Sequence, residues 1–144
     1  SLRIRRKLLG LNHHDVGIIL YNIATVYLES GDEDEAMRYY RETLAVERAT
    51  LGSNDKDVVL TLQHIGQVQQ QRGDFNAALE YFEESLRIER QSFGEESVNV
   101  ARTLNCVGNI YLQKGKVREA MEAYTTSLRI FRKAGQSEEF VVAG

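Results

Sequence analysis

The stretch SLRIERQSFG, residues 85–94, decides the fold because related stretches stand at a fixed distance from it along the chain. TLAVERATLG occupies residues 43–52, SLRIRRKLLG occupies residues 1–10, and SLRIFRKAGQ begins at Ser127, so the step is 42 residues each time. A fixed period between about 20 and 50 residues is typical of repeat arrays. The period therefore predicts an array of like units.

Each unit is predicted to form two helices, A and B. In the first unit an apolar stripe with helical spacing predicts helix A over about His14 to Ser30. The members of this stripe are Leu20, Ile23, Ala24, Tyr27 and Leu28. Gly31 supplies the left-handed residue that ends helix A. Asp32, with Glu35 three residues further on, is the predicted N-cap of helix B.

Helix B of the first unit is predicted to end at Gly52, and its inner face carries Ala36, Tyr40, Leu44 and Leu51. Asp55 and Ser97 are the predicted N-caps of the next two A helices. Gly66 and Gly108 fall inside A helices, where glycine costs about 1 kcal/mol relative to alanine. We expect a close approach of the two helices at Ala78 and Ala120 to offset that cost.

The pattern resembles the tetratricopeptide repeat in its Leu-x-x-[Ile/Val]-[Ala/Gly] core of helix A and in the small-residue–aromatic pair of helix B. The first unit, LGLNHHDVGIILYNIATVYLESGDEDEA at residues 9–36, is similar to the long repeats of kinesin light chains. The shared residues are Leu9, Gly10, His13, Asp15, Val16, Leu20, Asn22, Ala24, Tyr27, Gly31, Glu35 and Ala36. The resemblance implies an all-α fold, a right-handed α-solenoid of helix-turn-helix repeats.

The resemblance covers essentially the whole chain and predicts a single domain at 1–144. Within it, 1–10 is the end of a preceding helix B, and 137–144 is the start of a further helix A. Between them lie three full units of 42 residues at 11–52, 53–94 and 95–136.

The composition of the chain argues against several classes of function. The net charge of −3 argues against general nucleic-acid binding, and no run approaches the roughly 20 apolar residues that span a bilayer. The single cysteine, Cys106, excludes an internal disulfide and fits a reducing, cytoplasmic compartment. The basic run at residues 3–7 is interpreted as an exposed helix end.

The side chains that carry chemistry are few. His13 and His14 are adjacent and point about 100° apart on a helix, and His64 stands alone, so no metal site is predicted. Cys106 has no evident base or orienting group nearby, and is interpreted as a small hydrophobic residue. We therefore expect no enzyme, no cofactor and no metal.

The A helices of such repeats are expected to line a concave face that binds partners. Residues of helix A outside the core stripe are the candidate peptide-binding or partner-binding residues. In the first unit these are Ile18, Tyr21, Asn22, Thr25 and Glu29. In the second they are Leu60, Gln63, His64, Gln67 and Gln71. In the third they are Arg102, Asn105, Cys106, Asn109 and Gln113.

This face is rich in amides, which both donate to and accept from a peptide backbone, and Arg102 can pair with a carboxylate. By resemblance, kinesin light chains take short acidic, aromatic-containing peptides in this groove. The leading hypothesis is therefore a protein-interaction scaffold that binds a peptide or partner segment.

Two alternatives stay open. One is a structural segment that self-associates end to end through apolar residues at the repeat ends, namely Leu2, Ile4, Leu8, Phe140, Val141 and Val142. The other is a regulatory sensor segment of a larger enzyme.

Overall fold

The structure is a computed structural model that describes residues 13–52 and 56–143, with side chains at 15–50 and 56–135. These residues form six α-helices and no strand. The helices are α1 (His13–Glu29), α2 (Glu33–Leu51), α3 (Lys56–Gln71), α4 (Phe75–Phe93), α5 (Val98–Gln113) and α6 (Val117–Ala143). The odd-numbered helices are the predicted A helices and the even-numbered helices are the B helices.

The same turn joins helix A to helix B in every unit. At the first turn Gly31 has φ of 90°, and its N–H donates to Leu28 O at 3.1 Å while Asp32 N–H donates to Tyr27 O at 2.9 Å. This pair of bonds is the Schellman arrangement, in which a glycine in the left-handed region satisfies the last carbonyls of the helix. The turns at Gly73 and Gly115 repeat both bonds, so the predicted stop signal is confirmed.

The predicted caps are confirmed where the structure describes them. The Asp32 carboxylate accepts from Glu35 N–H at 3.2 Å, and the Ser97 hydroxyl oxygen accepts from Val100 N–H at 3.2 Å. Each bond satisfies one of the N–H groups that a helix start leaves without an intrahelical partner. Asp74 caps α4 in the same way. Asp55 lies outside the described residues.

The end of α6 corrects one predicted boundary. No new A helix starts at residue 137, because α6 continues unbroken to Ala143. In the first two units helix B ends at Gly52 and Gly94, with φ of 92° and 98°. The matching position in the third unit is Gln136, which lacks the freedom of glycine at positive φ, and Gly135 stands one position early. The stop signal is therefore missing. The predicted helix end at 1–10 lies outside the described residues.

The chain divides into two compact units, Ser1–Val68 and Gln69–Gly144. In the first, Val16, Leu20 and Val46 form a buried cluster on which Tyr39 packs. In the second, one cluster joins α4, α5 and α6 through residues such as Leu79, Leu104 and Ile130. The predicted inward columns are confirmed, since Leu20, Leu62 and Leu104 are buried, as are the three alanines at 36, 78 and 120.

The close approach expected around Gly108 exists, and the atoms nearest to it belong to a residue that was not predicted. A Cβ added to Gly108 would lie 2.7 Å from Cε1 of Tyr124, well inside van der Waals contact. The side chain that requires glycine is therefore the Tyr124 ring, one turn beyond the predicted Ala120. At Gly66 the expectation stays a prediction.

Candidate functional site

The candidate binding residues share one property in the structure: none of them belongs to the buried core. Ile18, Asn22 and Glu29 on α1 are exposed, and so are Leu60, Gln67 and Gln71 on α3. On α5 the exposed members are Arg102, Asn105, Asn109 and Gln113. The remaining five are partly buried, namely Tyr21, Thr25, Gln63, His64 and Cys106.

An aromatic cluster holds Tyr21 and His64, two of the partly buried candidates, within the first compact unit. The Tyr21 hydroxyl lies 2.7 Å from Nε2 of His64, a distance at which it donates to a neutral imidazole. The His64 ring stacks on Tyr40 with centroids 5.7 Å apart, and Tyr21 meets both rings edge to face. Edge-to-face and stacked contacts of this kind add about 0.5–1.5 kcal/mol beyond burial. The cluster therefore fixes the orientation of Tyr21 and His64 beside their exposed neighbours.

Burial sets the protonation states in this cluster. Burial lowers the pKa of His64 from its usual value, which favours the neutral imidazole that accepts from Tyr21. Burial raises the pKa of Tyr21, and the nearby Tyr40 and Glu47 add to that shift, so the phenol keeps its proton. The pair is thus a neutral hydrogen-bonded unit, suited to recognition and without a charged member.

A hydrogen bond between a tyrosine of helix B and a candidate residue of helix A occurs in both compact units, and it was not predicted. Tyr40 on α2 has its hydroxyl 3.2 Å from Oγ1 of Thr25 on α1, and the Tyr124 hydroxyl on α6 donates to Oδ1 of Asn109 on α5. The two pairs are related by two repeats of 42 residues. A tyrosine of helix B thus holds a candidate residue of helix A. Periodicity marked Tyr40 only as a core residue, although its hydroxyl is the signal that it also needs a polar partner.

The candidate amides of the second compact unit make only part of their possible hydrogen bonds within the protein. Because Asn109 accepts from Tyr124 through Oδ1, its NH₂ group stays available to donate. Gln113 accepts from Gln70 Nε2 at 2.6 Å, which brings in a residue that sequence reasoning missed in favour of its neighbour Gln71. Arg102 is exposed and makes no ion pair with a described residue. This portion of the face keeps amide donors and one cation for a ligand.

Cys106 is half-buried and forms no disulfide. Burial raises the pKa of its thiol, and the charge of Glu89 adds to the shift. Because the thiolate is the nucleophilic form, this environment makes Cys106 a weak nucleophile. Glu89 itself is buried and accepts from the Thr103 hydroxyl at 2.5 Å, and Glu47 accepts from Thr61 in the same register.

The described residues do not provide the ligand set of a metal site. They contain no group of three histidine, cysteine, aspartate or glutamate side chains placed to hold a metal ion. Nor does any helix in those ranges combine the length and apolar character needed to cross a membrane.

Comparison with known families and structures tests the fold. A family model described as tetratricopeptide repeat matches residues 1–49 and 51–133. BtubC (BKLC) from P. vanneervenii superposes with a TM-score of 0.81 at 22% identity, covering 92% of this chain and 52% of that one. A second structure contains nearly identical TPR-like repeats of the kinesin light chain type from Podosopora anserina. It superposes with a TM-score of 0.68 at 21% identity, covering 80% of this chain and 55% of that one.

The TPR domain of Arabidopsis FLU gives a TM-score of 0.72 at 14% identity, covering 85% of this chain and 99% of that domain. No curated protein matches the sequence. The likeness confirms the predicted fold class, an all-α solenoid of helix-turn-helix repeats. This chain spans about half the length of BtubC and of the Podosopora repeats.

Proposed function

Because the chain belongs to the tetratricopeptide repeat family, whose repeats generally mediate protein–protein interaction, we propose that it binds an extended peptide segment of a partner through exposed residues of its A helices. The observation that carries the proposal is that all of the candidate residues on α1, α3 and α5 lie outside the core. We propose a non-catalytic role in the cytoplasm, which the single cysteine of the sequence and the raised pKa of its thiol support.

The second compact unit, 69–144, supports a specific mode of binding. Asn105 is exposed and Asn109 retains its NH₂ donors, and the two lie four residues apart on α5. Residues four apart on a helix share one side, so both amides reach the same ligand strand. Amides pair with peptide N–H and C=O groups whatever the side chains of the peptide are. This part of the face therefore favours a peptide backbone in extended form.

Arg102 adds a preference to this general affinity. Its guanidinium lies one turn before Cys106 on α5, is exposed, and has no carboxylate partner among the described residues. A carboxylate of the ligand forms a forked pair with such a group. The proposed ligand is therefore a peptide with an acidic residue placed beside Arg102.

The first compact unit, 1–68, contributes a different surface. Ile18 and Leu60 are exposed apolar side chains on α1 and α3, and the Tyr21–His64 pair lies among the same candidate positions. Solvent-exposed aliphatic groups with neutral hydrogen-bonding neighbours favour an aliphatic or aromatic side chain of a partner. We propose that this surface takes an apolar residue.

A peptide array with matched variants tests the proposal. Asn105→Ala and Asn109→Ala are expected to weaken binding of all bound peptides about 2- to 10-fold, the value of one hydrogen bond of about 0.5–1.5 kcal/mol. Arg102→Gln is expected to weaken only acidic peptides, by up to about 5-fold, since exposed ion pairs contribute at most about 1 kcal/mol. Gln91→Ala, an exposed change on α4, is the control. Unchanged binding by both asparagine variants would falsify the proposal.

A further inference from the structure

The hydroxyl group of Tyr124 holds one candidate residue, Asn109, in a single orientation. Tyr124 lies on α6, and its hydroxyl donates to Oδ1 of Asn109 on α5. An asparagine side chain carries an acceptor oxygen at one end of its amide and two N–H donors at the other. The bond therefore occupies the oxygen end of this exposed amide, and the NH₂ end has no partner among the described residues.

The ring that carries this hydroxyl has little freedom to move. Its Cε1 and Cδ1 atoms would lie 2.7 and 2.8 Å from a Cβ at Gly108, so the ring packs directly on the backbone of α5. Tyr124 is partly buried, and α5 and α6 share the buried cluster of the second compact unit. Because Asn109 follows Gly108 in sequence, the same contact keeps the hydroxyl beside the Asn109 amide.

The equivalent tyrosine of the first compact unit leaves the opposite hydrogen-bonding capacity on its partner. Tyr40 is 1% exposed, so its hydroxyl needs a partner, and it lies 3.2 Å from Oγ1 of Thr25. The Thr25 hydroxyl donates its only hydrogen to the carbonyl oxygen of Tyr21 at 3.0 Å. Tyr40 is therefore the donor in this pair, and Thr25 keeps only acceptor capacity. The register equivalent of Thr25 two repeats later is Asn109, which keeps donors instead.

The unit between these two shows that the repeat does not require the hydroxyl. Phe82 stands where the two tyrosines stand, and Gln67 stands where Thr25 and Asn109 stand. Gln67 is exposed and makes no hydrogen bond within the described part of the chain. The terminal torsion of such an amide is broad, so it presents either end to a ligand. The tyrosine hydroxyl is thus a feature of particular units, which points to a role beyond helix packing.

We propose that Tyr124 is a positioning residue for ligand recognition, which holds Asn109 so that its NH₂ group donates to a carbonyl oxygen of the bound segment. The inference rests on the proposed function and names the ligand group that this position takes. Because the amide is ordered before binding, the ligand does not have to immobilise it. Asn105 makes no hydrogen bond with a described residue, so it keeps both donor and acceptor capacity.

The binding test uses the full chain and the peptide that the array binds most tightly, with Kd measured by isothermal titration calorimetry. Tyr124→Phe removes only the hydroxyl and is expected to weaken binding about 2- to 10-fold, the cost of ordering one side chain on binding. Tyr81→Phe removes the hydroxyl of another partly buried tyrosine of the second compact unit and should bind like the wild type. In an Asn109→Ala background, Tyr124→Phe is expected to change the affinity no further.

The direction of the hydrogen bond is tested by removing the donors of Asn109. Asn109→Asp keeps an oxygen for the Tyr124 hydroxyl and loses both N–H donors, so it is expected to weaken binding at least as much as Asn109→Ala. Asn105→Asp is the charge control, because it adds the same charge four residues away on one side of the same helix. This control is expected to lose less affinity, since an oxygen at position 105 still accepts from a peptide N–H.

A spectroscopic measurement tests the Tyr124–Asn109 bond without a ligand. The side-chain NH₂ signals of Asn109 are identified by their absence in Asn109→Ala. They are expected to shift in Tyr124→Phe, which keeps the ring and removes the hydroxyl. When the array peptide is added to the wild type, at least one of these NH₂ protons is expected to move downfield, because it enters a new hydrogen bond as the donor.

Each contrary result has a distinct meaning. If peptides bind but Tyr124→Phe binds like the wild type, or loses as much affinity in the Asn109→Ala background, the positioning role is overturned and the proposed function stands. Wild-type affinity of Asn109→Asp would show that Asn109 accepts from the ligand, which overturns the assigned direction. NH₂ signals that do not respond to Tyr124→Phe would overturn the bond itself. If no peptide on the array binds, the proposed function and this inference are both overturned.

Discussion

Gly108 offers the sharpest test of how the helices pack, because the structure states what an added methyl group would meet. In Gly108→Ala the new Cβ would lie 2.7 Å from Cε1 and 2.8 Å from Cδ1 of Tyr124. The ring cannot swing aside freely, since the Tyr124 hydroxyl is bonded to Asn109. The helices or the ring must therefore shift, and the hydrogen bond from Tyr124 to the candidate residue Asn109 is put at risk.

The size of the effect follows from two opposing terms. Overpacking of a well-packed site costs about 1–3 kcal/mol, whereas alanine gains about 1 kcal/mol over glycine in a helix interior. Gly17→Ala is the matched control in α1, because its Cβ would meet Val46 Cγ1 at an ordinary 3.5 Å. We expect Gly108→Ala to be less stable than Gly17→Ala by about 1–3 kcal/mol, the overpacking term alone.

The assay is urea unfolding followed by circular dichroism, with thermal unfolding as a second measure at about 2–4 °C per kcal/mol for chains of this size. A double-mutant cycle with Tyr124→Ala isolates the contact, since removal of the ring should turn Gly108→Ala from costly to favourable. Equal stability of the two alanine variants, or no coupling in the cycle, would refute the assigned contact.

Two further predictions concern pH. Burial raises the pKa of Glu89 and the Thr103 bond only partly opposes this shift, so the folded state holds its proton more tightly and stability falls as pH rises from the usual glutamate range through the raised pKa. Glu89→Gln should therefore be more stable than the wild type near neutral pH, with the difference shrinking on acidification; Glu80→Gln, an exposed change on α4, is the control in the same urea titrations. Burial lowers the pKa of His64, so the unfolded state binds that proton more readily and stability falls as pH drops through the usual histidine range towards the lowered pKa. His64→Gln should remove this acid loss, and an NMR titration that finds the His64 pKa at or above 6.5 would contradict the reasoning.

Periodicity predicted the helices and their inward faces because those depend on spacing along one chain segment. The turn at Gly31 and the caps at Asp32 and Ser97 were predictable for the same reason, since each acts within a few residues. The extension of α6 was missed because the repeat implied a stop that Gln136 does not supply. Absence of a stop signal is visible in the sequence, but the period masked it.

The contacts between helices were harder to predict, because a helical stripe defines a face and leaves the opposite residue undetermined. The atoms nearest to an added Cβ at Gly108 belong to Tyr124, which lies one turn along α6 from the predicted Ala120. The Tyr21–His64 pair joins residues 43 apart in sequence, one more than the repeat, so alignment of equivalent positions does not pair them. Both require the three-dimensional offset between neighbouring helices.

The buried Glu–Thr pairs show what such offsets mean for stability. An apolar residue in place of Glu89 would serve stability alone better, because a buried carboxylate is costly even when it is hydrogen-bonded. A slip of one turn between α4 and α5 would separate Thr103 from Glu89, and an unsatisfied buried group costs about 1–3 kcal/mol. The pair therefore penalises misaligned packing of similar helices.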